Sequence, residues 1–146
     1  MRCRLSGLPA LRTCPPVVRV PSSATAFIKP VIDAGAPGIV VPQVASLEEV
    51  ESVVADCRYP RSGRRGFGPL VASDYGRLGN YPEVADRSLF VSVMIERVEA
   101  VEAIDRIVAV PGLDSIVLGP YDLSGSLGVL GQVEHPDVVS AMERVI

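Results

Sequence analysis

The sequence predicts an α/β fold in which helices cover a parallel β-sheet. Short apolar runs alternate along the chain with longer stretches whose apolar residues recur every three or four positions. The short runs are apolar throughout, which is typical of parallel strands buried on both faces. The chain has 146 residues, 48% of them hydrophobic. It is therefore long and apolar enough for one folded domain, and its composition excludes intrinsic disorder.

Four strands are predicted from the apolar runs, which are rich in β-branched residues. In chain order they cover residues 16–20, 38–42, 89–95 and 115–118. The helix after the first strand is predicted to begin with Ser22 or Ser23 as its cap and to end at Gly35. The helix after the second strand begins at Ser46, because Glu48 and Glu49 in its first turn complement the helix dipole.

The helices are predicted from apolar residues that fall on one face. They cover residues 24–34, the stretch from Ser46, one or two short helices within 74–87, then 98–109 and 137–146. On the fourth of these stretches, Val98, Val101, Ile104, Ile107 and Val108 form the predicted buried face. His135 precedes Pro136, a capping arrangement that places the proline at the first helical position.

An arginine-rich and glycine-rich loop over residues 58–69 separates the second helix from the later elements. Its basic residues are expected to form salt bridges within the fold or at a subunit contact, and less so a phosphate or nucleic-acid patch. They are Arg58, Arg61, Arg64 and Arg65. A formal net charge of −3 argues against nucleic-acid binding by the domain as a whole.

The composition also gives an expectation for where in the cell the protein is located. No run of 18 apolar residues is present, so no transmembrane helix is predicted, and no membrane partner is expected. The three cysteines, Cys3, Cys14 and Cys57, form no CxxC pair, which favours a reduced, cytoplasmic compartment. Residues 1–14 are predicted to be a ragged N-terminal segment, and 15–146 the folded domain.

Two α/β architectures fit this pattern, a doubly wound open sheet and a (β/α)8 barrel. No G-x-G-x-x-G follows the first strand, which weakens the dinucleotide-binding alternative. A barrel has eight strands and about 250 residues. Four predicted strands therefore amount to a partial (β/α)8 barrel of about four βα units.

Charged side chains stand at three of the predicted strand ends, where parallel α/β proteins carry their chemistry. Arg19 lies on the first strand, Glu96 follows the third and Asp122 follows the fourth. Glu96 and Asp122 are 26 positions apart, about one βα repeat, so they are expected to face the same mouth. Two carboxylates there favour a hard divalent cation such as Mg²⁺ or Mn²⁺, although strand-end acids also serve as helix caps. Arg19 is suited to hold a carboxylate.

Five segments resemble, in order, those of the HpcH/HpaI aldolase family, within the superfamily of citrate lyase and pyruvate-binding barrels. The segments are PVVRVP (16–21), DAGAPGIVVPQV (33–44), RYPRSGRRGFGP (58–69), VMIE (93–96) and the stretch from Pro111 to Gly128 that contains GPYDLSGSLG. The resemblance covers residues 15–146 and implies that the chain is a central fragment of such an enzyme.

The resemblance implies class II aldol chemistry, in which a divalent metal (Mg²⁺, Mn²⁺ or Co²⁺) assists cleavage of a 4-hydroxy-2-oxo acid to pyruvate and an aldehyde. Glu96 and Asp122 correspond to the metal ligands, and Arg19 to the residue that binds the pyruvate carboxylate. Gly119, Pro120, Tyr121 and Asp122 correspond to the segment against bound pyruvate. The family often has Gln where this chain has Met94. Lys29, the single lysine, is predicted to be a surface residue, so a Schiff base is not expected.

Family members also carry an acid and a histidine on upstream βα units, and nothing in this sequence matches them. Two alternatives to an active aldolase therefore stay open: a lyase of the citryl-CoA or malyl-CoA type, and a noncatalytic fragment of an aldolase. The resemblance further implies a homo-oligomer that acts on small molecules. The identity of the aldehyde is not predicted.

Overall fold

The computed structural model describes residues 14–68 and 71–146. Four parallel strands pair in chain order to form one sheet. They are β1 (Val17–Arg19), β2 (Gly38–Val41), β3 (Phe90–Ile95) and β4 (Ser115–Leu118). Val18 lies opposite Ile39, which lies opposite Val91, so neighbouring strands are in continuous register. The predicted α/β class and parallel sheet are confirmed.

Helices connect the strands and cover one face of the sheet. They are α1 (Thr25–Asp33), α2 (Leu47–Cys57), α3 (Tyr81–Ser88), α4 (Val98–Glu102), α5 (Ile104–Ile107), α6 (Pro120–Ser126) and α7 (Pro136–Val145). Two predicted caps are confirmed. The Ser46 hydroxyl accepts the backbone N–H of Glu49 at 3.2 Å, and His135 Nδ1 accepts that of Asp137 at 3.3 Å.

Three local predictions are wrong. The first helix has no side-chain cap from Ser22 or Ser23, and the Ser23 hydroxyl instead hydrogen-bonds to Glu49 on α2. The helix predicted over 98–109 is two short helices that meet at Ala103, and Val108, expected on the buried face, is 53% exposed. The glycine-containing stretch after β4, where no helix was predicted, forms α6.

The core lies between the helices and one face of the sheet, and alternate residues of each strand point to that face. Ile39 and Val41 on β2 and Val91, Val93 and Ile95 on β3 are all fully buried there. Leucine, isoleucine and valine side chains of α1, α2, α4 and α5 cover them. Burial of each such side chain contributes about 1.5–3 kcal/mol, so this layer fixes the strands whose ends position the candidate site.

The loop after α2 is bound to the core by its arginines. Arg58 donates to the backbone carbonyls of Leu89 and Gly112, both at 3.1 Å, and so joins α2 to the segments that enter β3 and β4. Two of the other three arginines form ion pairs, Arg64 with Asp56 at 2.6 Å and Arg65 with Asp33 at 2.7 Å. Internal salt bridges are thus confirmed for this loop.

Other features bear on the remaining predictions. Cys57 is buried and Cys14 is exposed, and both thiols are free. Cys3 and most of the predicted N-terminal segment 1–14 lie outside the described residues, so the predicted domain boundary stays a prediction. Over residues 14–68 and 71–146, every helix is too short or too polar to cross a bilayer. Lys29 is only partly exposed and pairs with Asp33.

Candidate metal and substrate site

Charged and small residues meet at the carboxyl end of the sheet. Arg19 is the last residue of β1, Glu96 directly follows β3, and Gly119 directly follows β4. Asp122 lies in the first turn of α6, and Gln43 follows β2 by two positions. Parallel strands in register bring these positions to one edge, so the residues predicted from the sequence do lie at one mouth.

Glu96 is the central group of this mouth and is almost completely buried, with 1% of the residue exposed. Its Oε1 accepts the backbone N–H of Gln43 at 2.7 Å, a bond that joins the ends of β2 and β3. Gln43 adopts a positive φ of 55°, a backbone conformation that is uncommon for residues other than Gly and Asn. The turn after β2 is therefore shaped to aim a backbone donor at the carboxylate.

The second oxygen of Glu96 is left without a protein partner. Oε2 is buried and accepts no hydrogen bond. It lies beside Gly119, where an added Cβ would stand 2.6 Å from Oε2 and 2.7 Å from the Glu96 Cβ. Only glycine fits at position 119 while Glu96 keeps this orientation.

The electrostatic setting of Glu96 raises its carboxyl pKa above the ordinary value. Burial is the largest cause, and the nearby Asp122 carboxylate adds to it by like-charge repulsion. The Gln43 N–H and the positive charge of Arg19 act in the opposite direction. Two acids therefore face each other at the mouth with incomplete compensation from the protein.

This arrangement fits a hard divalent cation. Carboxylate oxygens are the ligands that Mg²⁺ and Mn²⁺ prefer, and Oε2 of Glu96 is a buried acceptor to which no protein group donates a hydrogen bond. A cation between Glu96 and Asp122 would offset both the burial cost and the repulsion. Among the described residues, no group of three or more His, Cys, Asp or Glu side chains is placed to hold a metal. Glu96 and Asp122 would thus be the two carboxylates that the described residues supply.

The segment that carries Asp122 presents its neighbours to solvent. Pro120 begins α6, and the Tyr121 side chain is 68% exposed. The Tyr121 carbonyl accepts the Ser124 hydroxyl at 2.6 Å, and that hydroxyl in turn accepts the Gly131 N–H at 2.8 Å. These bonds hold the first turn of α6 in place beside Glu96.

Gln43 was not predicted to contribute to the mouth, and Gly119 was predicted only as part of the segment against bound pyruvate. Gln43 acts through its backbone, which no side-chain pattern reports. Gly119 acts through the absence of a Cβ, and the sequence offered only its position directly before Pro-Tyr-Asp as an indication. His135, the single histidine, caps α7 as expected.

Comparison with known proteins decides the family. The family model described as HpcH/HpaI aldolase/citrate lyase matches residues 4–146. The chain belongs to the HpcH/HpaI aldolase/citrate lyase family. It is 42% identical over 133 residues to a hydroxypyruvate/pyruvate aldolase of Roseobacter denitrificans, covering 90% of this chain and 52% of the relative. It is 40% identical over 146 residues to a 4-hydroxy-2-oxovalerate aldolase of Rhodococcus jostii, covering 97% of this chain and 57% of that protein.

A solved structure of the same family confirms the architecture. The chain superimposes on an HpcH/HpaI aldolase/citrate lyase family protein from Burkholderia cenocepacia with a TM-score of 0.86 at 37% identity, covering 90% of this chain and 53% of that one. The chain thus spans about half the length of the HpcH/HpaI relatives that it matches. Since those relatives are (β/α)8 barrels, the four βα units described above are part of such a barrel, as predicted.

Proposed function

We propose that this chain carries the metal-binding and pyruvate-binding part of a metal-dependent aldolase, which cleaves a 4-hydroxy-2-oxo acid to pyruvate and an aldehyde. One observation carries the proposal: the buried Glu96 keeps Oε2 free of any protein partner while facing a second carboxylate. The aldolase names of the relatives support the reaction class.

In this proposal, Glu96 and Asp122 hold the divalent cation. When bound, the cation would polarise the ketone oxygen of the substrate and offset the negative charge that develops on the pyruvate fragment. Glu96 is fixed for this role by the Gln43 N–H and by the space at Gly119. Because the Gln43 N–H binds Oε1 and position 119 carries no side chain, Oε2 would be left free for the cation.

Arg19 binds the carboxylate end of the same substrate. Its position at the end of β1 places a guanidinium at the mouth, and its charge already acts on Glu96. A guanidinium can bind a carboxylate through two parallel hydrogen bonds, which fixes the orientation of the 2-oxo acid. The first turn of α6, from Gly119 to Asp122, forms the adjoining wall of the substrate site.

The test is a titration of the purified chain with Mn²⁺, followed by water-proton relaxation in the presence and absence of pyruvate. We expect a relaxation enhancement that changes when pyruvate is added. Glu96→Ala should abolish the enhancement, whereas Glu99→Ala, which removes an exposed acid three positions away, should keep it. Arg19→Met should keep Mn²⁺ binding and lose the response to pyruvate.

Absence of Mn²⁺ binding by a folded chain would overturn the proposal for this chain and favour a noncatalytic fragment. Pyruvate release from a 4-hydroxy-2-oxo acid, coupled to lactate dehydrogenase, tests the full reaction. A parallel assay with a malyl-CoA thioester tests the lyase alternative. This alternative is included because the family description names citrate lyase beside the aldolases. Selective cleavage of the thioester would replace the aldolase assignment.

A cytoplasmic location and a homo-oligomeric state belong to the same proposal. The free thiols of Cys14 and Cys57 are consistent with a reducing compartment. Sedimentation equilibrium of the purified chain measures its oligomeric state directly.

A further inference from the structure

Two loops at the mouth carry the groups that the proposed reaction needs to keep in register. The first, residues 20–24, leads from β1 into α1 and begins directly after Arg19. The second, residues 42–46, leads from β2 into α2 and contains Gln43, whose N–H binds Glu96. A contact between the two loops therefore acts on the separation between the proposed substrate group and the proposed metal group.

The carboxylate of Glu49, in the first turn of α2, hydrogen-bonds to both loops. Its Oε1 accepts the Ser23 hydroxyl at 2.5 Å, and its Oε2 accepts the Ala45 N–H at 2.9 Å. Ser23 lies 26 positions before Glu49, so this bond is a tertiary contact and not a helix cap. One side chain thus bridges the segments that follow β1 and β2.

The bridge starts from a fixed point on α2. The Glu49 N–H donates to the Ser46 hydroxyl that caps the helix, at 3.2 Å, and the next residue, Val50, is completely buried. Glu49 itself is half-buried, so water competes only in part for its carboxylate oxygens. A side chain anchored in this way can transmit the position of α2 to both loops.

On the β2 side, the bridge supports the turn that binds Glu96. Ala45 lies two positions after Gln43, and Val44 between them is completely buried. The φ of Gln43 is 55°, a conformation that persists in a residue other than glycine only where its surroundings enforce it. The bond from Ala45 to Glu49 holds the chain directly after this turn, so it helps to keep the Gln43 N–H on Glu96.

On the β1 side, the bridge holds the loop that follows Arg19. The N–H of Val20 still donates to a β2 carbonyl at 3.0 Å, so strand pairing continues for one residue past Arg19. Among the described hydrogen bonds of residues 21–24, the one from Ser23 to Glu49 connects the loop to another element. Loss of this bond would free the loop to move, and the exposed Arg19 side chain with it.

The contribution of Glu49 is one of geometry and not of charge. Both of its partners are neutral groups, a hydroxyl and a backbone amide. Glutamine at this position can accept the Ala45 N–H through its carbonyl oxygen and donate to the Ser23 oxygen through its amide. Alanine can do neither, so the two substitutions distinguish a bridge from an electrostatic effect.

We propose that Glu49 is a positioning residue of the mouth, which joins the loop after Arg19 to the turn that carries Gln43 and so keeps the substrate-binding arginine in register with the metal-binding carboxylate. This inference rests on the proposed function of the mouth, but the bridge itself can be tested without it.

Hydrogen exchange of the Gln43 amide, followed by ¹H–¹⁵N NMR in the metal-free chain, tests the bridge. Glu49→Ala should speed this exchange at least about tenfold, whereas Glu49→Gln should keep it within about twofold of the unaltered chain. Glu48→Ala, which removes an exposed acid of the same helical turn, should leave the rate unchanged. The Phe90 amide, which donates to a carbonyl at the opposite end of the sheet, should exchange equally in all four chains.

The Mn²⁺ titration with pyruvate tests the positioning role. Glu49→Ala should raise the Kd for pyruvate at least about fivefold, and Glu49→Gln should restore it, because orientation of Arg19 returns with the bridge. Ser23→Ala breaks the bond on the Arg19 side alone. It should raise the Kd for pyruvate and leave the Kd for Mn²⁺ unchanged, a split that a general loss of stability would not produce.

The inference is overturned if Gln43 exchange is unchanged in Glu49→Ala, or if Glu49→Ala and Glu49→Gln accelerate it equally. An unchanged pyruvate Kd in both Glu49→Ala and Ser23→Ala overturns it as well. If Glu49→Ala also accelerates Phe90 exchange, the variant has lost overall stability, and the split in Ser23→Ala then decides. Failure of the unaltered chain to bind Mn²⁺ would instead overturn the proposed function, while selective acceleration at Gln43 would still support the bridge.

Discussion

The two ends of the sheet each bury one charged side chain, but they stabilise it differently. At the carboxyl end, Glu96 receives one backbone hydrogen bond and faces a second acid, Asp122. At the amino end, Arg65 receives an opposite charge from Asp33 and the face of the Tyr59 ring. The protein therefore pairs the buried cation with an opposite charge, whereas the buried anion faces a like charge.

This difference is one of charge balance, because Arg65 has an opposite charge beside it and Glu96 has a like charge. Removing one member of a buried ion pair weakens the compensation of the charge that remains in the low-dielectric interior, and this destabilises the fold. Removing a buried charge that has no opposite charge beside it stabilises the fold, because the cost of burying that charge disappears. Neutralising the buried ionisable side chain should therefore lower the free energy of unfolding at the amino end and raise it at the carboxyl end.

The largest expected effect is at the amino end. Arg65→Met should lower the free energy of unfolding by about 3 kcal/mol, because it removes the contact with Tyr59 and the buried ion pair with Asp33, which keeps only Lys29 as a partner. Urea denaturation followed by circular dichroism measures this. Arg61→Met, at an exposed position of the same loop, should change stability by less than about 0.5 kcal/mol. Equal effects of the two substitutions would remove the distinction on which the comparison rests.

A steric change at the carboxyl end should come next. Gly119→Ala places a Cβ 2.6 Å from Glu96 Oε2 and should cost about 2 kcal/mol of stability, since Glu96 or β4 must move. It should also weaken Mn²⁺ binding, because the carboxylate loses its orientation. Gly79→Ala is the matched control, because an added Cβ there meets nothing within 4 Å. Retention of both full stability and Mn²⁺ affinity in Gly119→Ala would contradict the described packing.

Neutralising Glu96 should stabilise the metal-free chain by about 1 kcal/mol at neutral pH. The folded-state pKa of Glu96 is raised, first by burial and then by Asp122, so the folded chain favours the protonated form. The stability contributed by Glu96 therefore rises as pH falls through the raised pKa toward 4.5, and is lost at higher pH. Glu96→Gln and the unaltered chain should differ most near pH 7 and converge in acid. Thermal denaturation in chelator-containing buffers from pH 4 to 7 tests the sign, and divergence in acid would refute it.

The smallest expected effect is at Gln43. Its φ of 55° is left-handed, so Gln43→Gly should relieve strain while keeping the N–H that Glu96 accepts. The added flexibility of glycine in the unfolded chain offsets part of the gain, which leaves about 0.5 kcal/mol of stabilisation. Urea denaturation of Gln43→Gly beside Gln43→Ala, which keeps the strain, would show whether the turn is strained.

The sequence predicts the strands and the gathering of charged residues at their ends because both follow from local patterns. Uniformly apolar runs mark β2 and β3, and the one-repeat spacing of Glu96 and Asp122 brings them to neighbouring strand ends. The roles assigned to Arg19, Glu96 and Asp122 remain predictions that the Mn²⁺ experiment tests.

What the sequence did not predict depends on contacts between distant segments. The helix over 98–109 was expected to be continuous because its apolar spacing is continuous, yet the chain bends at Ala103. The pairing of Arg65 with Asp33 joins residues 32 positions apart, and no periodicity encodes it. The positive φ of Gln43 has no marker such as Gly or Asn at that position.

The close approach of Gly119 to Glu96 has a consequence for how this sequence can change over generations. A side chain at position 119 and a carboxylate in its present place at position 96 exclude one another, so neither position can drift alone. A lineage that lost the acid could then accept alanine or serine at 119 at little cost, and recovery of the acid would be blocked until glycine returned. Across related genes, the two positions should therefore change together, and loss of the pair should be harder to reverse than to acquire.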